Sequence, residues 1–305
     1  MQQRTTTKEE YQKQVNIIIE YINNNLNEDL DLLTLAEKTI FSSFHFHRIM
    51  KSFLGESLGA FIMRIRVETA ARLLCYTDLP IQDIAYQVGY EVPSSLSKVF
   101  KLFYNVSPTE FRNNKNYTIM RPLLLNNDLN LKAPKIREIE SKEAIYLQIF
   151  GKYSDVDFCG SWNKLWQYVK ENKLFSAGIE HLCVYYDDPK VTEADKLRTD
   201  ICLVIPQKAK TIPNVEDICV FNENTDKVKA KGQIGVKEIK GGKYAVFSYQ
   251  GSYENLGSVY DTIYGKWLPE SDCKLRNTSG FEKYLNNPER TSPDKLKTEI
   301  YIPIE

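Results

Sequence analysis

Pro80–Ile81–Gln82–Asp83–Ile84–Ala85–Tyr86–Gln87–Val88–Gly89–Tyr90–Glu91–Val92–Pro93–Ser94–Ser95–Leu96–Ser97–Lys98–Val99–Phe100–Lys101 decides the fold of the N-terminal half. Pro80 opens a short helix, Ile81 to Val88, and Gly89 to Pro93 is a turn. Leu96, Val99, Phe100 and Phe103 then recur at the helical period as one buried stripe. Ser94, Ser97, Lys98 and Lys101 stand on the opposite face. Two helices across a tight turn, the second with a face of hydrogen-bond donors, make a helix-turn-helix.

The same pattern stands about 50 residues upstream. Leu32 to Lys38 is a short helix, and Phe41–Ser42–Ser43 is a turn with capping serines. Phe46, Ile49, Met50 and Phe53 form the buried stripe, closed by Gly55, with Phe44, His47, Arg48 and Lys51 opposite. Ser57 and Ser107, then Phe61 and Phe111, keep the same offset. A helix capped by Ser57 and running through Leu58, Phe61, Ile62, Ile65 and Leu74 joins the units, and Val15, Ile18, Ile19 and Ile22 mark a helix before them. A plain helical bundle would not explain why both polar faces carry groups suited to bases and phosphates. His45 and His47, at i and i+2 on a helix, point roughly 200° apart, so one ion cannot take both. No cysteine or carboxylate completes a cluster there, so no metal or cofactor is expected. His47 is expected at DNA and His45 in the packing.

The second half is also written twice. Ile136–Arg137–Glu138–Ile139 returns as Val236–Lys237–Glu238–Ile239, and Gly151–Lys152–Tyr153 as Gly251–Ser252–Tyr253. Asp195–Lys196–Leu197–Arg198–Thr199–Asp200–Ile201 returns as Asp294–Lys295–Leu296–Lys297–Thr298–Glu299–Ile300. Each module reads as strand, helix, then strands. In the second, Ile234 to Glu238, Tyr244 to Tyr249 and Leu296 to Ile304 are strands, and Glu254 to Trp267 is a helix. In the first, Ala144 to Phe150 and Asp200 to Ile205 are strands, with a helix around Trp162, Trp166 and Val169. The expected fold is thus an all-α duplicated helix-turn-helix domain followed by an α+β domain of two repeated modules with antiparallel sheets. The expected boundaries are 1–117, a linker at 118–132 without periodicity, and 133–305, with modules near 134–206 and 233–304.

Two modules around a pseudo-two-fold axis can hold one ligand asymmetrically in the cleft between them. At an offset of 99, Tyr185 pairs with Tyr284 and Asp200 with Glu299, but Cys183 with Glu282. A carboxylate in one half only is what an asymmetric cation site would use. The competing reading makes Glu282 a solvated strand residue paired with Lys283 or Lys295. All three tryptophans and 12 of the 19 tyrosines lie after residue 132. Aromatic faces attract cations at roughly 0.5–2 kcal/mol each, although Trp162, Trp166 and Trp267 suit a core as well as a cleft.

A length of 305 residues and an apolar content of 42% fit about two ordinary domains. No apolar run approaches the ~18 residues of a membrane span, and polar Met1 to Glu10 is no signal peptide. Cysteines 75, 159, 183, 202, 219 and 273 lack C-x-x-C spacing, so they read as reduced thiols in a cytoplasmic protein without a membrane partner. Net charge is zero, over the whole chain and over residues 1–117. The basic residues are nevertheless focused. In Ser42–Arg72, Arg48, Lys51, Arg64, Arg66 and Arg72 face only Glu56 and Glu68. In Pro93–Lys115, Lys98, Lys101, Arg112 and Lys115 face only Glu110. Such a footprint suffices for phosphate contacts and implies weak non-specific binding.

Residues 10–115 resemble the DNA-binding domain of AraC/XylS-family transcriptional regulators. The likeness rests on Leu35–Ala36, Phe44–His45, Arg48, Gly55, Ser57–Leu58, Ile65–Arg66, Ile84–Ala85, Val88–Gly89–Tyr90, Ser95–Leu96, Phe100–Lys101, Pro108 and Phe111–Arg112. It implies two recognition helices in adjacent major-groove segments of double-stranded DNA, about one helical turn (~34 Å) apart. Carried over by position, Phe44, His47 and Arg48 reach base edges, and Lys51 shares their face. Pro93, Ser94, Ser95 and Lys98 face DNA from the second helix, with Ser97 and Lys101 nearer phosphates. RNA polymerase contact is a further implication of the family.

Residues 134–304 resemble the GyrI-like effector-binding domain. The match lies in Gly251–Ser252–Tyr253, Tyr264 to Pro269, Gly280–Phe281–Glu282–Lys283–Tyr284 and Thr298–Glu299–Ile300–Tyr301–Ile302–Pro303. It implies a cleft that takes bulky, often cationic aromatic molecules, with Glu282, Tyr284, Trp162, Trp166, Tyr264 and Trp267 as its candidate lining. The expected function is a transcriptional regulator sensing a small molecule, without enzyme activity. A hydrolase using Glu282 and a protein that sequesters xenobiotics are the alternatives. Neither needs two recognition helices, and His181 is the one histidine of this half. Because both sites are duplicated within one chain, a monomer is expected.

Overall fold

The computed structural model describes residues 7–39, 41, 43–113, 131–206, 233–276 and 278–305, with no description of the side chains of residues 7–10, 43 and 44. The linker expected at 118–132 lies almost wholly outside these residues, as does the Phe44 side chain. In the first half, α1 (Thr7–Asn24) precedes α2 (Leu32–Glu37) and α3 (Ser43–Leu54), the first helix-turn-helix. The long α4 (Leu58–Tyr76) leads to α5 (Ile81–Gln87) and α6 (Pro93–Tyr104), the second unit, and α7 (Pro108–Asn113) follows.

α4 serves two cores. Phe61 and Ile65 pack with Ile18, Leu35, Phe46 and Met50, whereas Ala70, Ala71 and Leu74 pack with Ile84, Leu96, Phe100 and Phe111. The helix starts are capped as their sequences demand. Asp31 accepts from the Leu33 and Thr34 amides, and Ser57 from the Ala60 amide. Ser107 and Glu110 each accept the other's backbone N–H in a reciprocal capping box. Gly89 turns with φ +82°, and a Cβ there would lie 2.3 Å from the Leu26 carbonyl oxygen, so glycine is required. Two expectations fail. Phe103 is 37% exposed, because the α6 stripe runs Leu96, Phe100, Tyr104, the last ring 4.7 Å from Phe100. His45 is exposed where a buried position was expected.

In the second half, β1 (Lys135–Ile139), β2 (Lys142–Phe150), α8 (Phe158–Glu171), β3 (Glu180–Tyr185) and β4 (Arg198–Val204) form the first module. The second has β5 (Gly235–Ile239), β6 (Gly242–Gln250), α9 (Leu256–Thr262), β7 (Phe281–Tyr284) and β8 (Lys297–Pro303). α9 widens into a π turn at Ile263–Trp267 before Leu268–Glu270. All strands join one antiparallel sheet in the order β1-β6-β8-β7-β3-β4-β2-β5. Each module's first strand therefore sits on the edge of the other module's sheet.

β3 and β7 meet at the centre, with Cys183 opposite Glu282. The two positions that the repeat equates thus face each other across the pseudo-two-fold axis. Strand alternation puts Cys183, Tyr185, Glu282 and Tyr284 on the face covered by α8 and α9. Val184, Tyr186 and Phe281 lie on the other face, toward the helical half.

Candidate functional site

Glu282 is 2% exposed. The Tyr284 hydroxyl donates to its Oε2 at 2.7 Å, and Tyr260 supplies a second hydroxyl. No ion pair to Glu282 occurs among the described residues. Burial pushes its pKa up to about 7, and the two phenol hydrogen bonds hold back a larger rise. Rings enclose it. The Tyr185 and Tyr284 hydroxyls lie 3.0 Å apart, and Tyr153 and Tyr253 meet these two rings edge-on at 4.9 and 5.2 Å. Tyr264 lies parallel to Tyr260, with centroids 6.3 Å apart. The reading of Glu282 as a solvated strand residue fails: Lys283 points to the other face and pairs with Glu180.

Of the expected lining, Tyr284 and Tyr264 stand in this cluster. Trp162 and Trp166 pack on His181, which faces Tyr284 across β3 and β7 and accepts from Trp166 Nε1 at 3.2 Å. Trp267 packs edge-on to Phe247 at 4.9 Å, within the core of the second module. Tyr153, Tyr185, Tyr253 and Tyr260 were missed. Tyr153 and Tyr253 are themselves a repeat pair, a signal present in the sequence.

On the faces expected to meet DNA, His47, Arg48 and Lys51 of α3 and Ser94, Ser95, Lys98 and Lys101 of α6 are exposed. Ser97 is half-buried and donates its hydroxyl to the Pro93 carbonyl. The charge count overstated this surface. Arg64, 4% exposed, pairs with Glu56 and Glu68. Arg66 donates to the Leu26 and Glu28 carbonyls, Arg112 to that of Leu79 and Arg72 to that of Tyr186. These arginines build the fold.

Residues 132–305 match the family model of the GyrI-like small molecule binding domain, and residues 35–114 match that of a helix-turn-helix domain. The chain is an AraC-family transcriptional regulator with a C-terminal GyrI-like domain. It is similar to the probable transcription factor PqrA of Proteus vulgaris, 34% identical over 102 residues, which are 33% of this chain and 84% of that protein. It is similar to the transcriptional regulator Rob of Salmonella typhimurium at 22% identity over 303 residues, covering 93% of this chain and 95% of the relative. The solved DNA-binding domain of AdpA in complex with a target DNA is 26% identical, with a TM-score of 0.32, over 33% of this chain and 91% of that one. No helix among the described residues is long and apolar enough to cross a membrane.

The DNA-binding domain of this AraC-family chain is packed against its GyrI-like domain. Lys237 of β5 pairs with Asp200 of β4 and Glu20 of α1. Burial alone would lower the pKa of Lys237, but Asp200 and Glu20 hold it raised, so it stays charged. Arg137 and Glu299 form the equivalent pair of the pseudo-symmetric arrangement at 3.4 Å, with Arg137 41% exposed where Lys237 is 4%. Only the copy under α1 is buried. Beside it Arg198, 3% exposed, makes a two-pronged contact with Asp187 and donates to Asn23 of α1. A cavity of about 90 Å³ lies between α1, α4 and the sheet, lined in part by Asn23, Arg72, Arg198 and Lys237.

Proposed function

We propose that this regulator senses a bulky aromatic cation through the Glu282 carboxylate and the tyrosine rings around it. The observation that carries this reading is a 2%-exposed carboxyl on the pseudo-symmetry axis, with no ion pair among the described residues. An isolated buried carboxylate is costly, and an arriving cation offsets that cost. Tyr153, Tyr185, Tyr253, Tyr260, Tyr264 and Tyr284 offer ring faces, and Trp162 and Trp166 extend the apolar lining at the His181 end. Binding fits this environment better than turnover. Burial raises the pKa of the Cys183 thiol and of the phenols of Tyr185, Tyr260 and Tyr284, so none of these four neighbours of Glu282 is an activated nucleophile.

The test is fluorescence titration of the full chain with tetraphenylphosphonium and with its anionic isostere tetraphenylborate. Micromolar binding of the cation and much weaker binding of the anion supports the reading. Equal affinities would overturn it.

On DNA, the reading assigns base contacts to His47 and Arg48, with Lys51, Lys98 and Lys101 at phosphates and Ser94 and Ser95 beside them. RNA polymerase is the further partner it implies. Arg48→Ala should flatten the preference at one base pair by roughly 1–3 kcal/mol. Lys101→Ala should weaken all sequences alike and lower the salt slope by about one. Titrations against a DNA site selected by the full chain, at several salt concentrations, check both. A Lys101→Ala protein with unchanged salt dependence would remove that residue from the interface.

A further inference from the structure

The loop between β3 and β4 breaks the repeat a second time. At the offset of 99, Asp188, Lys190 and Val191 stand against Asn287, Glu289 and Arg290. Asn287, Glu289 and Arg290 are exposed. Val191 is 4% exposed, because it plugs the core of the second helix-turn-helix beside Leu96 and Phe100. Its carbonyl accepts the Tyr104 hydroxyl of α6 at 2.9 Å. One turn of chain earlier, Asp188 accepts the hydroxyl of Tyr76, the last residue of α4. Lys190 pairs with Asp261 of α9. The loop therefore grips α4, α6 and α9 at once.

Tyr76 also reaches the effector side directly. Its ring lies 4.6 Å from that of Tyr264 at an interplanar angle of 33°. Tyr264 is parallel to Tyr260, and Tyr260 donates to Glu282. An unbroken line of contacts thus runs from the buried carboxylate through Tyr260, Tyr264 and Tyr76 to Asp188, Val191 and the recognition helix α6.

We propose that Tyr76 couples the Glu282 site to DNA binding: a cation seated there pushes Tyr260 and Tyr264 outward, dislodges Tyr76 and loosens the loop's hold on α6. This rests on the effector reading above. Glu282 is closed over by rings, so a bulky ligand enters only if rings move, and the far end of the stack, Tyr76, belongs to the DNA-binding domain. Coupling between sites is reciprocal, so whatever the ligand does to the stack, the stack does to ligand affinity. Tyr76 acts here as a positioning residue and not as a ligand contact.

The test compares the full-length parent, Tyr76→Ala and Tyr76→Phe for tetraphenylphosphonium affinity and for the shift that this cation causes in affinity for a selected DNA site. Tyr76→Ala removes the ring that the ligand must displace. It should bind the cation about 5-fold or more tightly than the parent and lose the DNA response. Tyr76→Phe keeps the ring and deletes the bond to Asp188. It should bind the cation like the parent and show a several-fold smaller DNA response. If Tyr76→Ala does not fold, the Tyr76→Phe response decides, and an undiminished one overturns the coupling. Unchanged cation affinity and DNA response in a folded Tyr76→Ala overturn it while leaving the sensor reading intact. Failure of the parent to bind the cation defeats the sensor reading, and the coupling falls with it.

Discussion

Glu282→Gln should cost the full chain roughly 10- to 100-fold in tetraphenylphosphonium affinity at pH 8, or about 1–3 kcal/mol for a charge-assisted contact, while making the protein more stable. Glutamine keeps the shape and an acceptor for Tyr284, but removes the charge. The folded-state pKa of Glu282 is raised from an ordinary 4.5 to about 7. A raised carboxyl contributes stability fully below about pH 4.5, and that contribution is lost as pH rises through about 7. Above that, the parent carries a buried ionised carboxylate at a cost on the order of 3 kcal/mol. The variant should therefore unfold at higher denaturant concentration at pH 8, with a shallower fall in stability between pH 5 and 7. A slope remains because Glu68 of α4, pushed up to about 7 by burial against the pull of Arg64, titrates in the same window. Loss of affinity with a gain in stability is the behaviour of a site selected for binding. Equal cation affinity in parent and variant would move the pocket elsewhere.

Arg198→Ala should have the largest effect on stability, about 3–5 kcal/mol, because it leaves Asp187 charged and buried without its partner. Asp187 and Arg198 are each 3% exposed. The same arginine donates to Asn23 of α1, and its guanidinium lies 5.9 Å from the Phe61 ring of α4. Its loss therefore loosens the docking of the DNA-binding domain as well as the loop after β3. Thermal melts should fall by roughly 10 °C. A double variant, Arg198→Met with Asp187→Leu, should recover most of that fall, since a well-packed apolar pair can replace a buried ion pair. A melt of Arg198→Ala within 2 °C of the parent would mean that water reaches Asp187.

The helix-turn-helix units were legible because they rest on local signals: a 3.6-residue stripe in each, the positive-φ Gly89 in the second turn, and Ser57 and Ser107 capping the helices that follow the units. Phe103 was misplaced because a four-residue stripe fits two phases, and only the docking of Tyr104 selects one. β3 and β7 were passed over as elements because they are short and buried on both faces, without clean alternation. The exchange of β1 and β5 between modules leaves no local trace. Glu282 was legible for a reason independent of propensity: its repeat partner is Cys183, and antiparallel pairing sets the two side by side on the axis. Val191 against Arg290 carried the same kind of signal for the docking loop. The charge count misled because Arg64, Arg66, Arg72 and Arg112 find carboxylates and carbonyls only once the helices pack. Trp267 could not be told from a cleft residue, since an aromatic on an amphipathic helix serves a core and a site alike.

Proton release on binding bears most directly on Glu282 as the charge that answers the ligand. Calorimetric titration of the full chain with tetraphenylphosphonium at pH 6, in buffers of differing ionisation enthalpy, counts the protons that leave when the cation binds. With the Glu282 pKa at about 7, the carboxyl is mostly protonated at pH 6, so close to one proton should be released by the parent and close to none by Glu282→Gln. Binding by the parent without proton release would contradict the assignment.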